Sequence, residues 1–80
     1  MKIDSVIPAS ALPDTPVLIK GDGLDAAQTL YFGDQSVPFK INSTGTIEAS
    51  VPSGSGTVDV TVEEKGDKSN SVSFTYLKVY

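Results

Sequence analysis

The chain has 80 residues, net charge -4, six basic residues that are all lysine, and no cysteine, histidine or tryptophan. That length allows one domain with a modest core, burying roughly 60% of the surface its unfolded chain exposes. The composition excludes a disulfide framework, a thiol nucleophile, the commonest general base and most transition-metal ligand sets.

In chain order, Ile3 and Val6 are apolar three apart ahead of Pro8, which predicts a first strand with a bend or bulge. Residues Pro8 to Pro16 carry three prolines and are expected to be irregular, since proline cannot donate to a sheet ladder. Val17 to Lys20 predicts a short strand ended by Gly21-Asp22-Gly23, with Val17 and Ile19 on one face and Leu18 and Lys20 on the other. Leu24 to Gln28 suits a single helical turn, being too short for a helix that stands alone. Thr29 to Phe32 predicts a strand with Leu30 and Phe32 inward and Tyr31 outward, closed by Gly33-Asp34. Ser36 to Ile41 follows with Val37, Phe39 and Ile41 on one face, and Pro38 within it marks an edge strand. Asn42 to Gly45 is a turn cluster.

The remainder carries the clearest pattern. Ile47, Ala49 and Val51 alternate with Glu48 and Ser50; Val58, Val60 and Val62 with Asp59 and Thr61; Val72, Phe74 and Tyr76 with Ser73 and Thr75. Period-two alternation predicts strands with one face in a core and one in water. A Pro-Ser-Gly-Ser-Gly turn and a charged hairpin join the three. About seven short strands at intervals of about ten residues predict an all-β Greek-key sandwich without a disulfide. One domain spans 1–80, with its core in 3–76 and a short tail at 77–80.

The order of these segments resembles the IPT/TIG family. The residues that carry the resemblance are Ile3, Val6 and Pro8; Thr15-Pro16-Val17 with Ile19 and Gly21; Leu30 with Phe32-Gly33; Thr46-Ile47 with Ala49, Val51-Pro52, Gly54, Gly56, Val58, Val60 and Val62; and Ser69-Asn70 with Val72, Phe74 and Tyr76. Two departures affect loops. Pro13-Asp14 stands where the family often has a glycine pair, and Leu24 where it often has an aromatic. The resemblance implies an immunoglobulin-like fold that lacks the antibody disulfide. It also implies an accessory role, such domains occurring beside starch-acting enzymes and in cell-surface proteins.

Little in the chain can do chemistry. No histidine exists to activate a serine. On one strand Asp59 and Glu63 would lie about 13 Å apart, beyond the roughly 5–9.5 Å used by paired carboxylates in glycoside hydrolysis. The adjacent Glu63 and Glu64 would face opposite sides. The expectation is a protein that is not an enzyme and holds no cofactor. Asp22 and Asp25, with Asp14 and Asp34 in neighbouring connections, supply too few oxygens for calcium and read better as turn residues. Asn42-Ser43-Thr44 matches the N-glycosylation pattern, a short signal in a polar turn. Negative charge without arginine argues against nucleic acid. No segment reaches the roughly 20 apolar residues of a membrane helix.

The binding candidates are therefore exposed apolar side chains: Leu18, Tyr31, Leu77, Val79 and Tyr80. Tyr31 could stack on a glycan, although an isolated outward tyrosine is also ordinary sheet composition. Met1-Lys2-Ile3-Asp4 offers no apolar stretch of signal-peptide length. The first expectation is a structural component of a phage virion, made in the host cytoplasm and docked as a decoration on capsid or tail proteins. The alternative is a spacer, adhesion or carbohydrate-binding module within a longer secreted or cell-surface protein.

Overall fold

A computed structural model describes residues 2–78. Ten strands form two sheets that face each other across one core. The first sheet has the order β1-β3-β7-β6, from Lys2–Ile7, Pro16–Asp22, Ile47–Ser50 and Phe39–Ile41, and every neighbouring pair is antiparallel. The second has the order β2-β10-β8-β4-β5, from Ser10–Ala11, Val72–Tyr76, Thr57–Glu64, Thr29–Phe32 and Gln35–Val37; the two-residue β9 (Asp67–Lys68) lies alongside β8. Consecutive strands repeatedly change sheets, which is the Greek-key connectivity of an immunoglobulin-like sandwich.

Period-two alternation puts Val17, Ile19, Ile47 and Ala49 into the core from the first sheet. Leu30, Phe32, Val60, Val62, Phe74 and Tyr76 meet them from the second. Phe74 sits edge-to-face between Phe32, with ring centroids 5.3 Å apart, and Tyr76, at 5.6 Å. Such pairs add to the area their rings bury. Val58 and Val72 are half-buried and pack against the rim of this cluster rather than within it. Leu24, in the 3-10 turn Leu24–Ala26, closes the core from the side.

Three elements differ from what the sequence predicts. Ser36 to Ile41 is not one strand. Pro38 has no N–H to donate, so pairing with β4 stops at Val37, opposite Leu30, and Phe39 joins β7 in the other sheet, opposite Ala49. The segment from Pro8 to Pro16 is not wholly irregular, because Ser10 and Ala11 pair in parallel with Thr75 and Tyr76. Asp67 and Lys68 extend the charged hairpin into a short pairing with Glu63 and Glu64. These additions turn seven strands into ten and leave the architecture as expected.

Two glycines are set by space. A Cβ built on Gly21 would overlap the carbonyl oxygen of Lys2, where the register of β1 and β3 shifts between Ile3 and Ser5. A Cβ on Gly54 would lie 2.7 Å from the Tyr76 ring. The ring thus packs directly on backbone, and burial pushes the Tyr76 hydroxyl above the ordinary tyrosine range.

Candidate functional site

Apart from the Tyr76 hydroxyl, the described core is apolar, and the polar and charged side chains of the described residues all reach the surface at least in part. Leu18 lies on the outer face of the first sheet, half-buried, between the inward Val17 and Ile19. Its cross-strand partners are Ile7 on β1 and Glu48 on β7, and Glu48 in turn pairs with Lys40 on β6. The row Ile7, Leu18, Glu48, Lys40 therefore runs across the sheet, apolar at one end and charged at the other. Beside it an open groove is lined by Pro16, Leu18, Pro38, Phe39, Lys40 and Glu48.

Tyr31 lies on the outer face of the second sheet, opposite Ser36 on β5 and Thr61 on β8. The Lys68 ammonium sits 5.2 Å from its ring centroid, a cation–π contact that occupies the ring. Leu18 and Tyr31 thus point away from opposite sheets and cannot form one site. Leu77 is exposed, and its N–H donates to the Ala11 carbonyl at 2.9 Å. The chain at Leu77 therefore continues the parallel pairing of β10 with β2 by one hydrogen bond. Val79 and Tyr80 lie outside the described residues.

Sequence reasoning missed Ile7 and Leu12, both exposed apolar residues. A signal for Ile7 was present, since the inward Ile3 and Val6 leave it on the other face. Leu12 was hidden in the proline-rich segment whose pairing with β10 could not be anticipated. Exposed Ile7 and half-buried Leu18 are cross-strand neighbours on the first sheet, while the exposed Leu12 and Leu77 adjoin the β2–β10 pairing of the second.

The opposite loops are polar. Asp22, Asp25 and the turn Asn42 to Gly45 surround a shallow depression. The Asn42 Oδ1 accepts bonds from the Thr44 N–H and hydroxyl and from the Thr46 N–H, which accounts for the Asn-Ser-Thr sequence as turn chemistry. Among the described residues, no group of three or more aspartates or glutamates could hold a metal ion.

A cysteine-free sandwich with this strand order and an apolar interior defines an immunoglobulin-like domain. The chain belongs to the IPT/TIG domain family, whose sequence model matches residues 1–76. It is also similar to part of a solved structure, the gamma-CGTase of the alkalophilic Bacillus clarkii, with 28% identity and a TM-score of 0.82. That match covers 94% of this chain and 12% of the gamma-CGTase chain, so this chain spans about an eighth of the length of that protein. No curated protein matches the chain.

Proposed function

We propose that the chain works as a non-catalytic accessory module that docks against a neighbouring domain of a longer polypeptide and holds it in place. The observation that carries this reading is that the same sandwich, at 28% identity, forms 12% of a much larger chain, that of gamma-CGTase. The surface chemistry agrees with it. Ile7, Leu12, Leu18 and Leu77 offer apolar contact without a deep pocket, which suits a protein surface better than a small molecule. Interfaces between domains of one chain are small and mixed in polarity, about 600–1,500 Å², and a row that runs from Ile7 and Leu18 to Glu48 and Lys40 has that character. Glycan stacking on Tyr31 is the weaker reading because Lys68 already lies over that ring. Docking as a decoration on a phage capsid or tail would use the same apolar residues.

Leu18→Lys tests the docking face. The substitution sits on an outer sheet face and should change the module's own stability by no more than about 0.5 kcal/mol. Within the native protein it should loosen the module from its neighbour, read as faster release of the module by limited proteolysis. Tyr31→Ala should leave that release unchanged. Equal release rates for Leu18→Lys and the native chain would contradict the proposal.

A further inference from the structure

The two sheets have four edges, and they are unequal. The edges formed by β2, β5 and β6 are two, three and three residues long. Strands that short offer little template for another chain. The fourth edge, β1, runs six residues from Lys2 to Ile7. It is the one edge long enough to be extended by a foreign strand, and it is the one that carries an added feature.

That feature is Asn70, in the link between β9 and β10. The Ile3 N–H donates to Asn70 Oδ1 at 2.8 Å, and Asn70 Nδ2 donates to the Ile3 carbonyl at 2.9 Å. A carboxamide that accepts from an N–H and donates to the same residue's carbonyl reproduces the donor and acceptor pair of a neighbouring strand. The link is built to present it. The Ser69 N–H donates to the Val62 carbonyl and the Ser69 hydroxyl accepts from the Val62 N–H, so Ser69 continues the ladder along β8. The Ser69 hydroxyl also donates to the Asn70 carbonyl at 2.8 Å. The chain then leaves β8 at Asn70 and resumes as β10 at Val72. Directly after Ile3 the register of β1 breaks before Ser5, which interrupts the remaining edge.

We propose that Asn70 is an edge guard: it fills the outward hydrogen-bonding position of Ile3, ahead of the register break on the long edge of β1, and so keeps the first sheet from pairing with β1 of a second copy. Without it, the Ile3 N–H and carbonyl become an open docking point for another chain. This device is independent of the docking face around Leu18, which uses side chains on the face of the sheet rather than the backbone at its edge.

Hydrogen exchange and sedimentation on the same preparations test the guard. In the native chain the Ile3 amide should exchange at least about tenfold more slowly than an unbonded amide. Asn70→Ala should lose that protection at low concentration, then regain it while the sedimenting mass climbs toward about twice the monomer value as concentration rises. Asn70→Asp, which keeps the acceptor but removes the donor, should associate as well; should Asn70→Ala not fold, this variant carries the test. An unprotected Ile3 amide in the native chain would overturn the proposal outright. Folded variants that stay monomeric at every concentration would also overturn it, leaving Asn70 only a brace between the sheets.

Discussion

Gly21 shows how a single atom can be excluded by backbone alone. Its missing Cβ leaves room for the Lys2 carbonyl oxygen, which is main chain and cannot swing aside. Gly21→Ala should therefore cost about 3 kcal/mol, the upper part of the range for overpacking, measured by urea unfolding. A cost of a few tenths would show that β1 and β3 can separate freely at that point. Tyr76 gives a prediction in pH. Burial raises its hydroxyl above the ordinary value, so the folded chain holds this proton more tightly than the unfolded chain. Its contribution to stability is complete below about pH 10 and falls as pH rises through the raised folded value. The alkaline decline in unfolding free energy should accordingly be shallower in Tyr76→Phe than in the native chain. Parallel declines above pH 10 would mean that the hydroxyl is equally solvated in both states.

At the scale of elements, β10 is central to the packing. It pairs with β8 on one side and β2 on the other, and its Phe74 ring meets both Phe32 and Tyr76. Phe74→Ala should cost about 3–5 kcal/mol, a large part of the stability of so small a domain, and its urea midpoint should fall accordingly. A near-neutral result would contradict the position of this ring in the core. The strands most legible from sequence were those whose alternation is set by burial on one face, Leu30 and Phe32 in β4, Ile47 and Ala49 in β7, and Phe74 and Tyr76 in β10. The less legible elements depend on partners distant in the chain. The pairing of Ser10-Ala11 with β10 has no local pattern, and Pro38 reads equally as an edge proline or as the point where a chain changes sheets. Of the candidate contact residues, Leu18 and Tyr31 were found because they stand alone between inward neighbours. That they belong to opposite faces follows only from the strand order, and the lysine over Tyr31 only from the hairpin of β8 and β9.

At the scale of the whole molecule, the sandwich separates stability from function. Apart from the Tyr76 hydroxyl, the described buried side chains are apolar and serve the fold. The features free to act are the exposed apolar side chains Ile7, Leu12 and Leu77 and the mixed row across the first sheet. The family membership accounts for the interior and for the glycines and turn residues that shape it, but not for what is docked outside. The direct measurement is the size of the polypeptide that carries this domain in its native source, by antibody detection after denaturing separation and after sedimentation of intact particles. The accessory-module account predicts that residues 2–78 are found within a chain several times their length. A free chain of 8.4 kDa that sediments with phage particles would contradict it and make a virion decoration the function instead.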